Sequence, residues 1–323
     1  ISASVTGKWG QKVTIDATEN TEQGYEINWS KWQNTNNESD TLQTKQTELT
    51  IGQENKTYEA IATKTIIDYD INYDLKGGSL ATGITNKTKY NVETPSFTLS
   101  NPSKQGYTFD GWTGTGLQNT STSVTITSGS IGDREYNANW SPITNTPYIV
   151  KHYKETLTTG EFILAETENL GGTTDTTVYA TPKAYQGFTY DEGNANEVKS
   201  GIVAANESLV LELYYTRNSY SLTTIAGNYV ASVSVVGSTQ TTSSQTIDFK
   251  FEQSVSLSAV KESVAGYTYG NISWNSSDEQ AISNSTGLEK AIQMPAEDIT
   301  LTASAVRTPI VYYITYDSNN GTL

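Results

Sequence analysis

The sequence predicts a mostly β protein made of small modules in tandem, and three observations predict it. A glycine followed by an aromatic recurs at Gly24, Gly106, Gly187 and Gly266, in steps of 82, 81 and 79 residues. A fixed period close to the size of a small domain marks an array of folding units. Apolar and polar residues alternate through 13–17, 124–126, 209–213, 247–251, 255–259 and 299–303, which is the signature of half-buried strands. Turn clusters such as Lys76-Gly77-Gly78 and Leu170-Gly171-Gly172 separate such stretches. No segment carries an amphipathic helix of three turns. The best helical candidate, residues 96–105, is confined to a turn or so by Pro95 and Pro102.

Composition narrows the functional classes. The 323 residues carry 35 acidic against 20 basic side chains, a net charge of −15 that repels phosphate backbones and anionic lipid, so nucleic acid is not an expected partner. No apolar run approaches the roughly 20 residues of a membrane span, and no membrane contact is expected within these residues. Cysteine is absent, so each small core must rely on packing, with 21 Tyr, 6 Trp and 6 Phe as its source.

A longer period overlies the short one. Residues 69–80 (YDINYDLKGGSL) realign with 312–323 (YYITYDSNNGTL) at an offset of 243, with six of twelve positions identical. Residues 24–32 likewise match 266–274, retaining Gly, Tyr and Trp at Gly24/Gly266, Tyr25/Tyr267 and Trp32/Trp274. The expected organisation is a truncated module over 1–64, complete modules over 65–144, 145–218 and 219–306, and the opening of another over 307–323. The chain is thus expected to be a window on a longer polypeptide. Pro142, Pro147 and Pro309 fall near the expected joins, where the fixed φ of proline stiffens a linker. Short stiff joins lead to the expectation of an extended rod.

Residues 65–141 open with YDINYDLKGGSL, continue through NPSKQGYTFDGW, which contains Gly106, Tyr107, Phe109 and Trp112, and close with YNANW at Trp140. In that motif order the segment resembles the internalin-type B-repeat, also called the Listeria-Bacteroides repeat. The resemblance implies a β-grasp-like mixed sheet with a short helix or helical turn, and tandem occurrence on bacterial surface proteins. Residues 145–218 open with PYIVKHY, pass through PKAYQGF with Gly187 and Phe188, and close with LELYYTR. They are similar to the mucin-binding-protein (MucBP) domain. Residues 219–306 end in MPAEDITLTASA and resemble divergent bacterial surface repeats, and residues 1–64 resemble the same module without its first strand.

Catalytic chemistry has little to work with. The only histidine, His152, sits at period two with Tyr148 and Val150 and reads as a strand residue; no G-x-S-x-G accompanies it. Asp68, Asp70 and Asp74 are spaced along the opening strand of 65–144, but no calcium-loop pattern accompanies them. Lys–Asn cross-linking wants a first-strand Lys and a last-strand Asn. Lys151 lacks an Asn in 208–217, and Asn137 and Asn139 lack a Lys in 70–75. No cofactor and no metal is expected. The recurring Gly-aromatic motif reads as a structural device that turns the chain and anchors a ring in the core. Its members are Gly24, Tyr25 and Trp32; Gly106, Tyr107, Phe109, Trp112 and Trp140; Gly187 and Phe188; and Gly266, Tyr267 and Trp274.

The expected function is non-enzymatic and extracellular. It is a stalk on a bacterial surface, attached to the cell wall through a region outside these residues and displaying an adhesive domain. Two alternatives stand beside it: adhesion of the repeats themselves to host glycoprotein or glycan, centred on the MucBP-like module, and self-assembly into fibres through strand edges.

Overall fold

A computed structural model describes residues 5–18, 20–236, 242–279, 282–317, 319 and 321. Among the described residues there are strands and turns but no helix, so no helix is long and apolar enough to cross a membrane. The chain divides into two compact units, Ile1–Thr144 and Asn145–Leu323. The strand stretches read from alternation are all strands in whole or in part. The helical turn expected over 96–105 does not form. Phe97–Thr98 instead pairs with Thr125–Ile126, and Ser103 bridges Ser79. The two prolines leave this stretch extended, where its backbone groups find partners across the module.

One sheet plan recurs three times. In the first unit, Tyr69–Asp74 and Arg134–Pro142 run parallel side by side, with Lys89–Tyr90 outside the former and Tyr107–Gly114 outside the latter. In the second unit, Thr146–Glu155 and Val210–Arg217 form the parallel centre, flanked by Phe162–Gly172 and Phe188–Tyr190. Ser219–Ala226 and Ile299–Ser304 repeat the arrangement, flanked by Ser244–Lys250 and Ser273–Ser276. The first and last strands of each set are therefore parallel neighbours. The chain enters each sheet at one pole and leaves at the opposite one.

Each of these sheets has its own core. Trp112, Tyr136 and Ile71 are buried in the first, Val150, Leu211, Leu213 and Tyr215 in the second, and Trp274, Leu257 and Leu301 in the third. Residues 12–66 are different. Tyr25–Asn34 pairs with Tyr58–Ile66, and Lys12–Asp16 with Gln46–Thr50, but no parallel centre is present among the described residues. Ala17 and Trp32 are the buried apolar residues there, so this part has little core of its own.

Candidate functional site

The motif glycines all have positive φ: +81° at Gly24, +77° at Gly106, +75° at Gly187 and +87° at Gly266. An L side chain is strained in that region, which is why glycine stands there. Each glycine carbonyl accepts a backbone N–H from the segment leaving its module: Ile67 (2.9 Å), Ile143 (3.0 Å), Asn218 (3.0 Å) and Ile310 (2.8 Å), respectively. The aromatic next to it pairs with the exit strand, as Tyr25 with Ile66, Tyr107 with Pro142, Phe188 with Arg217 and Tyr267 with Pro309. Because the motif strand runs antiparallel to the last strand, the glycine that opens it lies at the pole where the chain departs.

The motif tryptophans are buried; of the rings beside the glycines, Phe188 packs on its module's core, and Tyr25, Tyr107 and Tyr267 are not among the core residues. Trp32, Trp112 and Trp274 are buried, with indole N–H groups donating to Lys45 O, Asn101 Oδ1 and Gly287 O. Phe109 and Trp140 pack on the Trp112 core, and Trp140 donates to Leu75 O. Tyr25, Tyr107, Phe188 and Tyr267 are half-buried at the exit pole.

Two joints are visible inside the compact units. At the first, a Cβ on Gly24 would stand 2.0 Å from Val92 Cγ1, and Tyr25 Oη donates to Glu93 Oε1 at 2.5 Å. Lys64 lies over the Tyr25 ring at 3.7 Å and pairs with Glu22. The Glu93 hydrogen bond, with desolvation, raises the Tyr25 phenol to about 12. At the second joint, a Cβ on Gly187 would stand 2.2 Å from Phe251 Cδ1, and Phe188 meets Phe251 edge to face at 5.9 Å. Val92 and Phe251 occupy the same topological place. Each comes just after the strand that pairs antiparallel with its module's first strand and so ends at the incoming pole.

Around Phe251 the polar groups form a connected cluster. The Arg217 guanidinium lies over Phe188 at 4.7 Å and donates through Nη1 to Phe251 O and Glu252 Oε2, both at 2.8 Å. Its Nε donates to Glu155 O at 3.1 Å. The buried Glu155 carboxylate accepts the N–H of Gly160 (2.8 Å) and of Arg217 (3.1 Å) and lies 3.4 Å from Lys250 Nζ, which also donates to Thr159 at 2.8 Å. Burial pushes this carboxyl up, but the two N–H donors and Lys250 outweigh it and hold it below its ordinary value. Such a cluster fixes orientation. Its groups are engaged with one another rather than aimed at a ligand.

The other candidates also have structural partners. His152 is fully buried, with Nε2 3.0 Å from Glu168 and Nδ1 2.9 Å from Tyr215 Oη. Lys183 bridges Glu166 and Glu168, at 2.6 and 2.7 Å, and holds both carboxyls below their usual range. Asp68 accepts from Asn91, Asp70 pairs with Lys89, and Asp74 accepts the N–H of Lys76. The Asn139 amide donates to Gly111 O, Thr113 Oγ1 and Asn137 O.

Residues 69–131 match the family model of the Listeria-Bacteroides repeat domain, inside the segment whose motif order resembles that family. Comparison with curated proteins gives no match. Among solved structures, the chain is similar to the major pilin protein T-13 of Streptococcus pyogenes at 12% identity, over 50% of this chain and 98% of the pilin, with a TM-score of 0.19. It is also similar to the pilus adhesin SpaC of Lactobacillus rhamnosus GG in its open conformation at 10% identity, over 95% of this chain and 44% of the adhesin, with a TM-score of 0.19. A second form of that adhesin aligns at 11% identity over the same shares with a TM-score of 0.16. The chain spans less than half the adhesin's length.

Proposed function

We propose that these residues are the repeat region of a secreted bacterial surface protein and act without catalysis, as a stalk that spaces and orients an adhesive domain. The parallel pairing of first and last strands carries this reading. It puts arrival and departure of each module at opposite poles, the arrangement that a head-to-tail stalk needs. The joints support it further, because apolar and charged contacts at Gly24 and Gly187 resist bending where a bare linker would hinge. Modules of 65–144, 145–218 and 219–306, a truncated one over 1–64 and cell-wall attachment elsewhere belong to the same proposal.

Small-angle scattering on the whole chain tests it. With strands near 3.3 Å per residue, four modules in line give a maximum dimension on the order of 100 Å. A compact particle would overturn the stalk. A second reading, adhesion by 145–218, is favoured by exposed Tyr179 and Ile202 on the ribbon of Thr177–Tyr179 and Ser200–Ile202. Saturable binding of the intact chain to a glycan array, lost in Tyr179→Ala, would move the conclusion to it.

A further inference from the structure

The motif at Gly266 has the same backbone as the two filled joints but stands uncovered. Its carbonyl takes the Ile310 N–H, and Tyr267 pairs with Pro309, as at Gly24 and Gly187. Yet a Cβ built on Gly266 meets no described atom within 4 Å, where Gly24 meets Val92 and Gly187 meets Phe251. A cation already stands over the motif ring. The Arg307 guanidinium lies 4.3 Å from the Tyr267 centroid and 4.6 Å from that of Tyr229, as Lys64 lies over Tyr25 and Arg217 over Phe188. At both filled joints the next residue after the apolar side chain is a glutamate. Glu93 accepts from Tyr25 and Glu252 from Arg217.

The chain beyond Gly266 matches this uncovered motif. Residues 312–317 repeat 69–74, where Ile71 is buried and Tyr69 and Tyr73 pack on the core. Their counterparts Tyr312, Ile314 and Tyr316 are exposed, at 74%, 80% and 89%. Beside them Val306 and Val311 are exposed as well.

We propose that Gly266, Tyr267 and Arg307 form a docking site for an apolar side chain followed by a glutamate. The pair is presented by a β module of the 69–142 kind that has residues 312–317 as its first strand. Glycine leaves the space the apolar side chain fills, Tyr267 offers a ring face and hydroxyl, and Arg307 supplies the charge for the carboxylate. This rests on the stalk reading and adds to it the chemistry by which one module recognises the next.

The test lengthens the chain at Leu323 by a second copy of residues 81–142, so that 312–323 stands in for 69–80, and monitors amide exchange by mass spectrometry. Peptides covering 264–270 and 306–311 are expected to exchange about tenfold more slowly in the longer chain than in the present one. Gly266→Asn keeps a residue tolerant of positive φ but fills the space. It should abolish that protection while leaving exchange in the present chain unchanged. Replacing the added Val-Glu pair by Ser-Lys should do the same. Protection of 312–317 without protection of 264–270 would overturn the docking site, as would protection indifferent to Gly266→Asn. Failure of 312–317 to gain protection would overturn the first-strand assignment. None of these outcomes alters the scattering test, so the stalk stands or falls separately.

Discussion

At Gly24 the groups that lock the joint stand in water, and at Gly187, the exposed Glu252 apart, they do not. Lys64 and Glu22 keep 45% and 51% of their side-chain exposure, and the bond from Tyr25 to Glu93 is exposed too. Arg217 keeps 10%, Lys250 20% and Glu155 6%. The backbone device is shared, a positive-φ glycine receiving a side chain from the next module, but the electrostatics around it differ in dielectric. Exposed ion pairs are screened and contribute little, whereas a buried charge left without its partner is costly. The two joints therefore share a geometry and differ in what it takes to break them.

The largest effect should come from Glu155→Ala. It leaves Lys250 and the N–H groups of Gly160 and Arg217 without their carboxylate, a loss of about 3 kcal/mol for a buried charge cluster. Urea unfolding of the whole chain should show the transition of 145–323 at lower denaturant, with that of residues 65–144 unmoved. An unchanged transition would mean the cluster is no tighter than the exposed pair at Gly24.

Acid should separate the joints next. Glu155 has a folded pKa below the ordinary 4.5, so its contribution is present above that value and lost as pH falls through the folded one. Exchange at 155–160 and 217–218 should accelerate on acidification below pH 4.5, after correction for intrinsic rates, and Glu155→Gln should remove most of that pH dependence. A joint as protected in acid as at neutrality would contradict the assignment.

The smallest effect belongs to Tyr25→Phe, which removes one exposed hydrogen bond. Tyr25 titrates near 12 instead of 10, so its bond to Glu93 is intact below pH 10 and lost as pH rises toward 12. Difference absorbance at alkaline pH should show one late-titrating tyrosine that the variant lacks, with the melting temperature nearly unchanged. A variant that melts as low as Glu155→Ala would erase the distinction between the joints.

The strands were legible because alternation is a local signal. It also placed His152 with Tyr148 and Val150, and all three are buried. The recurring glycine was legible as well, but not the side chain that covers it. Val92 lies 68 residues beyond Gly24, and Phe251 lies 64 beyond Gly187. No local pattern reports a contact between the exit of one module and a side chain that follows a later strand of the next. The tryptophans read with the motif as core residues are buried at Trp32, Trp112 and Trp274, six to eight residues beyond the glycine. The helical turn over 96–105 failed for a different reason. Two prolines limit a helix without saying what replaces it, and here the replacement is pairing with segments more than twenty residues away.

The parallel centre of each sheet has a mechanical corollary. A pull on the two ends of residues 146–217 acts at the start of Thr146–Glu155 and the end of Val210–Arg217, which are neighbours in register from Ile149/Val210 to Lys154/Tyr215. Load applied that way slides the strands along each other, so the whole row of hydrogen bonds is sheared at once instead of being unzipped one after another. Under such a load each module would yield last at these centres and first at its more exposed joints, such as the one at Gly24.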